Sequence, residues 1–287
     1  MRNLIVGCGY LGGKVAKLWL ERGHNVSALT RSAANAEKMR AAGIAPIVAD
    51  ITEPTTLETI QQPFDVVLFA VGFDRSKYDD IRMVYVNGLK NVLDRLHEET
   101  QQMIYISSTG VYGNSDGGWV SEQTPPAPVR PGAKACLEAE TLIANSQFAN
   151  RSTILRLAGI YGPDRIPRLA AIEAKQWSSL SPNGHINLIH VDDGVRIVDQ
   201  VVDQKVLGET LLVSDGNPPN RRDFFDFIAK QIGTGPIDWE VATSAAVESR
   251  AAIDKRINSE RLVERIGYQF QYPNFESGIR DSIEAQI

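Results

Sequence analysis

The sequence predicts an α/β fold, a Rossmann-type doubly wound parallel sheet with a smaller substrate-side α/β subdomain. Three observations predict it. A strand, a glycine turn and a helix follow one another directly at the N-terminus. Short apolar runs then alternate with amphipathic stretches through the first half of the chain. The runs are apolar throughout, which suits parallel strands covered on both faces rather than half-exposed antiparallel ones.

The first element is Leu4-Ile5-Val6, followed at once by Gly7, Gly9 and Gly12 in G-x-G-x-x-G spacing. Lys14 to Arg22 reads as a helix, with Val15, Leu18 and Trp19 at helical spacing. A glycine triplet alone is a weak signal; placed between strand and helix it is a strong one for a dinucleotide. Gly7 permits the tight turn, Gly9 lets the backbone touch a pyrophosphate, and Gly12 lets the helix pack close to its strand. The helix N-terminus offers unpaired N–H groups and a positive dipole end to phosphates. Tyr10 and Leu11 complete the candidate cradle. Because the strand opens at Met1, no targeting segment is expected ahead of it.

The remaining elements follow in order. Asn25–Thr30 is a second strand, Ala45–Ala49 a third and Asp65–Ala70 a fourth. Ile81, Val84, Tyr85, Gly88, Leu89, Val92, Leu93 and Leu96 recur at three- and four-residue steps, the stripe of a long amphipathic helix. Gln102–Ser107 is a fifth strand, Lys134–Phe148 a helix and Ser152–Ala158 a sixth strand. After Tyr161-Gly162-Pro163 the rhythm breaks. Strand, helix and strand return at Ile186–Val191, Asp193–Val202 and Thr210–Val213, and helices are expected at Arg221–Ile232, Ser259–Ile266 and Phe275–Ala285. The expected division is a dinucleotide domain of residues 1–162 and 186–213, with a substrate-side subdomain of 163–185 and 214–287.

The chain has 287 residues, 43% hydrophobic and 23% charged, as soluble globular proteins do. A formal charge of -5 argues against a nucleic-acid partner, because phosphate binding needs a basic face. The longest apolar run, Val66–Val71, is far too short to span a bilayer. Cys8 and Cys136 stand far apart and form no metal spacing. Two isolated cysteines fit a reduced, cytoplasmic protein. The expected partner is a small molecule, with no nucleic acid, membrane or metal.

The residues after the second strand bear on cofactor choice. NAD-preferring sites carry an acid about 20 positions past the glycines, on the ribose 2′-OH. Here Thr30-Arg31-Ser32 stands at that place with no acid. Arg31 fits a 2′-phosphate and Ser32 adds a hydroxyl, so NADP is expected in preference to NAD. Asp50, followed by Ile51, lies after the third strand and can accept from the adenine amino group. Ala70-Val71-Gly72 ends the fourth strand, where glycine lets the backbone approach the adenosine ribose.

With the glycine loop, several further stretches resemble the extended short-chain dehydrogenase/reductases of the NAD-dependent epimerase/dehydratase group. They are Ala49-Asp50-Ile51-Thr52, Asn87 in Val86-Asn87-Gly88, Ser107 through Gly113, Glu122 through Pro128, Arg156 through Pro163 and Ile189 through Asp193. The resemblance runs from residue 1 to about 265. It implies hydride exchange at a bound nicotinamide and nucleotide-sugar or similar hydroxylated substrates. It also implies a homodimer through the helices at 80–97 and 134–148, to which Met83 and Val86 would add a second contact surface.

The chain departs from that family at its Tyr-x-x-x-Lys pair. Aligning Leu137-Glu138-Ala139-Glu140 places Gly132 and Cys136 at those positions; a shift of two to use Lys134 places Arg130 at the tyrosine. Tyr10 to Lys14 is the sole Tyr-x-x-x-Lys in the chain, inside the glycine loop. Lys134 cannot replace a lysine at 136, because two helical residues turn a side chain by about 200°. Ser108 matches the family's catalytic serine or threonine. Tyr112 and Tyr161, at strand ends, are the alternative proton donors. Thr109 and Gly110 stand where dehydratases carry an acid pair. His190 is read as structural, Asp192 or Asp193 as a helix cap, and Arg165, Arg168, Trp177 and His185 as candidates to line a polar pocket. Two functions remain open: an NADP-linked oxidoreductase or epimerase-like enzyme, and a non-catalytic NADP(H) sensor.

Overall fold

The computed structural model describes residues 1–114, 116–244 and 253–285. Its strands are β1 (Arg2–Val6), β2 (Asn25–Thr30), β3 (Ala45–Val48), β4 (Val66–Phe69), β5 (Gln102–Ser108), β6 (Trp119–Val120), β7 (Ser152–Leu157), β8 (Gly159–Tyr161), β9 (Leu188–His190), β10 (Glu209–Val213) and β11 (Arg256–Ile257). Seven make one parallel sheet in the order β10-β7-β5-β4-β1-β2-β3. The chain winds outward from β1 to β3, then crosses back to β4 and winds the other way. The order therefore reverses between β1 and β4, where Leu4 pairs with Ser27 on one side and Val67 on the other. Leu4, Ile5, Val67 and Leu68 are wholly buried, as all-apolar central strands require.

The crossover helices bury one face each. In Tyr10–Glu21 the buried face is Leu11, Gly12, Val15, Ala16 and Trp19, and Leu18 lies at its margin. Trp19 donates from Nε1 to Asp199 at 3.1 Å, and Arg22 bridges Asp199 at 2.6 Å and Asp203 at 2.8 Å. The expected helix over 81–96 contains a π-helical turn at Met83–Asn87 before Gly88–Leu93. That turn carries an extra residue and rotates the stripe. Val86 is consequently buried and adds nothing to a surface for a second copy, whereas Met83 is 44% exposed. The helix Ala33–Ala41 is an element the apolar pattern does not show; it buries Ala36 alone and starts on a Ser32 cap.

The chain divides into two compact units. The first comprises 1–111, 128–156 and 195–211; the second comprises 112–127, 157–194 and 212–287. This differs from the sequence-based division, which leaves 112–127, 157–162, 186–194 and 212–213 with the dinucleotide domain. The reason is local pairing. β8 pairs with β9 and β6 with β11, each in a separate two-stranded sheet.

Each unit has its own core. In the first, Leu57, Phe69, Leu89, Met103 and Phe148 belong to one buried cluster. In the second, Tyr161, Phe224, Ile228 and Phe275 do. The Tyr161 hydroxyl lies against Gly278 on the last helix, Phe275–Glu284, where any Cβ would collide with it. Among the described residues, no helix is long and apolar enough to cross a membrane.

Candidate functional site

The three loop glycines serve different ends. Gly7 has φ +99°, and a Cβ there would lie 2.5 Å from the Ala70 carbonyl. A Cβ on Gly12 would collide with the Gly7 carbonyl oxygen. The end of β4 crowds Gly7 and the turn itself crowds Gly12, so the fold demands both glycines. Gly9 is different: it is exposed, and among the described residues a Cβ there would meet no atom within 4 Å. It stands immediately before the helix Tyr10–Glu21, whose first N–H groups lack intrahelical partners. Leu11 is buried beneath the turn and Tyr10 is half-buried. This turn lies at the carboxyl end of β1, beside the reversal in strand order, where ligands of doubly wound sheets bind.

The neighbouring strand ends bring the other candidates together. Thr30 closes β2, and its hydroxyl accepts from the Ser32 N–H at 3.3 Å. The Ser32 hydroxyl accepts from the Asn35 N–H at 3.4 Å, so it serves as a helix cap and keeps its own proton to donate. Asp50 is the most heavily bonded member. Its Oδ1 accepts from the Thr52 N–H at 2.9 Å and hydroxyl at 2.8 Å; its Oδ2 accepts from the Tyr78 hydroxyl at 2.8 Å. Burial pushes its pKa up, but these bonds and Arg31 outweigh that and hold it below the ordinary value. The Ile51 side chain belongs to the core and packs against Gly88. Ala70 and Val71 are half-buried at the end of β4, and Gly72 is exposed.

Two residues of this group escape local sequence reading. Tyr78 lies under Arg31, with 5.2 Å from guanidinium carbon to ring centroid. Asp74 faces Arg31 Nη2 at 3.5 Å. Both belong to the segment after β4, which has no periodic pattern; only the tertiary fold carries them to β2.

At the end of β5, Ser108 Oγ accepts from the Gly110 N–H at 3.0 Å. It lies 3.1 Å from the place a Cβ on Gly110 would occupy, and Arg130 Nη2 lies 3.5 Å from that place. Arg130 thus borders the same glycine as Ser108. It stands just before the helix Pro131–Ala144, which contains no tyrosine. Cys136 on that helix is buried, and burial followed by the nearby Glu140 charge pushes its thiol up to about 11. A neutral thiol there supplies no lysine-like charge. Glu140 is also buried. Ser107 donates to its Oε1 at 2.5 Å, and Arg156 donates to both oxygens at 3.0 and 2.6 Å.

In the second unit several expectations need correction. Tyr112 and Tyr161 are each 0% exposed, so neither hydroxyl is open to a substrate. Asp193 caps no helix: it accepts from the Tyr268 hydroxyl and from the Gln271 and Tyr272 N–H groups at 2.7–3.0 Å. His185 is tied to Asp254 through Nδ1 at 2.9 Å and through its backbone N–H at 2.8 Å. Trp177 packs on the apolar cluster rather than lining a polar pocket. Arg165 follows a turn closed by its N–H on the Gly162 carbonyl, and Arg168 sits at φ +62° before the helix Leu169–Glu173. His190 is buried between Tyr161 and Tyr272, a structural residue as expected. Asp215 is buried too. Among the described residues its Oδ2 and the Tyr161 hydroxyl have no hydrogen-bond partner.

Comparison with known proteins places this geometry. Residues 3–213 match the model of the NAD dependent epimerase/dehydratase family. The chain is 26% identical over 263 residues to a 4-hydroxy-2-methyl-3-oxo-4-farnesyl-3,4-dihydroquinoline-1-oxide ketoreductase of Stigmatella aurantiaca, covering 86% of this chain and 79% of that protein. Among solved structures it is similar to a candidate NAD-dependent epimerase/dehydratase of Methylobacillus flagellatus (31% identity, TM-score 0.79, 99% and 98% of the two chains). The fold is shared with Thermus thermophilus UDP-glucose 4-epimerase, solved with NAD (19% identity, TM-score 0.79, 99% and 98%). A family match over most of the chain, on a sheet that reverses beside its glycine turn, shows that the chain belongs to the NAD-dependent epimerase/dehydratase family.

Proposed function

We propose that the protein is an NADP-linked oxidoreductase or epimerase-like enzyme acting on a hydroxylated or carbonyl substrate, with nucleotide sugars as the first class to test. The observation that carries the reading is Gly9. Gly7 and Gly12 are required by their protein neighbours, whereas among the described residues no neighbour requires a glycine at 9. An open position at a helix N-terminus, with its positive dipole end, suits a pyrophosphate.

The other candidates take roles from their places. Amides at Gly9, Tyr10 and Leu11 would hold the pyrophosphate. Arg31 and Ser32 would take the 2′-phosphate, and Asp50 the adenine. The backbone of Ala70, Val71 and Gly72 would lie along the ribose. A bound nicotinamide supplies the hydride donor or acceptor. Ser108 would hydrogen-bond the reacting substrate oxygen, and the Arg130 guanidinium would donate to the same oxygen as negative charge develops there. Arg130 cannot serve as the proton donor, since guanidinium stays protonated. The ketoreductase name of the Stigmatella relative favours carbonyl reduction, and UDP-glucose 4-epimerase favours sugar substrates.

A second reading is a non-catalytic NADP(H) sensor, favoured by the absence of a tyrosine from Pro131–Ala144. Gly9→Val tests the cofactor site itself. The side chain has room in the folded protein, so thermal stability should hold while dinucleotide binding by calorimetry is lost. Retained binding would move the cofactor elsewhere. Ser108→Ala then separates the two functions. The enzyme requires turnover on a nucleotide-sugar or carbonyl panel, lowered in Ser108→Ala with NADPH affinity kept. No turnover by the unmutated protein across that panel selects the sensor.

A further inference from the structure

We propose that Asp74 is a built-in anion that competes with the cofactor's 2′-phosphate for Arg31, so that the turn at 74–78 sets how strongly the protein prefers NADPH to NADH. The inference rests on the NADP reading above and extends it to a residue outside the expected site.

The turn is built to hold one carboxylate oxygen and present the other. Asp74 Oδ1 accepts from the Ser76 N–H at 3.1 Å and the Ser76 hydroxyl at 2.6 Å. The Asp74 carbonyl accepts from the N–H groups of Lys77 and Tyr78. Oδ2 is left facing Arg31 Nη2 at 3.5 Å. That separation is long for a hydrogen bond but close for an ion pair, a contact an incoming anion can displace. The Arg31 and Asp74 side chains are 35% and 39% exposed, so a ligand can reach both.

The same turn holds the guanidinium from beneath. The Tyr78 ring lies under Arg31, and the Tyr78 hydroxyl is anchored on Asp50. One short segment therefore engages both residues read as ligands of the adenosine end. Arg31 is pre-oriented at the place of the phosphate, and a carboxylate already neutralises part of its charge.

The consequence is selective. A 2′-phosphate carries about −1.5 to −2 charges and three acceptor oxygens, so it outcompetes one carboxylate for the guanidinium. Asp74 still opposes it twice, by holding Arg31 in the free protein and by repelling the phosphate in the complex. NADH has no group at that place and meets neither effect. Asp74 thus lowers NADPH affinity without touching NADH affinity. Lys77 in the same turn partly screens Asp74, which limits the size of the effect.

The test is Asp74→Asn in the full chain. The amide oxygen can still accept from Ser76, so the turn is kept while the charge is removed. Titration with NADPH and NADH at low salt should show NADPH binding tightened by roughly three- to tenfold and NADH within about twofold. The gain should shrink at high salt, where exposed charges are screened. An unchanged or weakened NADPH affinity overturns the proposal, and so does equal tightening of both nucleotides. Arg31→Ala distinguishes the two levels of failure. If the unmutated protein binds both nucleotides alike and Arg31→Ala changes neither, the NADP reading has failed and the proposal with it. If Arg31→Ala selectively weakens NADPH while Asp74→Asn is silent, the proposal alone has failed. In the Arg31→Ala background, Asp74→Asn should tighten NADPH less than it does beside Arg31, because only the direct repulsion of the phosphate remains to be relieved.

Discussion

Glu140 in the first compact unit and Asp215 in the second are both buried carboxylates, and the chain treats them in opposite ways. Glu140 receives Arg156 on both oxygens and Ser107 on one. Asp215 receives the Asn217 N–H on Oδ1 at 3.0 Å and, among the described residues, nothing on Oδ2. Burial, reinforced by the Asp193 charge, pushes Asp215 up to about 7. One buried acid meets a guanidinium on both oxygens; the other is brought to the edge of neutrality by burial with one oxygen unmet. The second unit can satisfy a carboxylate, since Asp193 nearby in sequence to His190 is fully bonded. The difference belongs to the positions, not to the units.

The largest expected effect comes from breaking the satisfied pair. Arg156→Met strands Glu140 as an uncompensated buried charge and should cost about 3–5 kcal/mol at pH 7 by urea denaturation. A loss under about 1 kcal/mol would show that Glu140 simply takes up a proton instead.

Asp215→Asn should act with the opposite sign and depend on pH. A folded pKa raised above the unfolded value favours folding at low pH, and that contribution is lost as pH rises through about 7. The native protein should therefore lose stability between about pH 4 and pH 8 through this group, by up to about 4 kcal/mol. The variant keeps the Oδ1 acceptor and should flatten the profile, gaining on the native protein at pH 8. Parallel pH profiles by thermal melting would refute the assignment.

The smallest effect should come from Tyr161→Phe, which removes a hydroxyl that has no partner among the described residues. It should leave stability unchanged or raise it by up to about 1 kcal/mol. A clear loss on denaturation would mean that an ordered water satisfies that hydroxyl.

Legibility in the sequence followed the range of the contacts. The glycine turn could be read because strand, glycines and helix are adjacent in the chain, although what crowds Gly7 is Ala70 at the end of β4. The strands of the main sheet could be read from apolar runs, with ends displaced by a residue or so; the fourth, for example, spans Val66–Phe69 rather than Asp65–Ala70. The helix Ala33–Ala41 has almost no apolar face, and only its Ser32 cap announces it. β6 and β11 are two residues long and pair across nearly half the chain, which no local pattern encodes. Arg31 and Asp50 stood out by position. Asp74, Tyr78 and Arg130 did not, because each reaches its neighbour only through tertiary folding. Tyr112 and Tyr161 looked accessible because strand ends usually are, and burial is not a property of an isolated motif.

The meeting of Tyr161 with Gly278 also acts as a key for the last helix. The hydroxyl sits where only a residue without a side chain can stand. Sliding Phe275–Glu284 by one residue either way would bring Ser277 or Ile279 to that spot, and a Cβ would strike the ring. An amphipathic helix that buries Phe275 and Ile279 could otherwise seat in neighbouring registers at modest cost. Here a single small residue meeting a large one leaves the closing segment one way to dock.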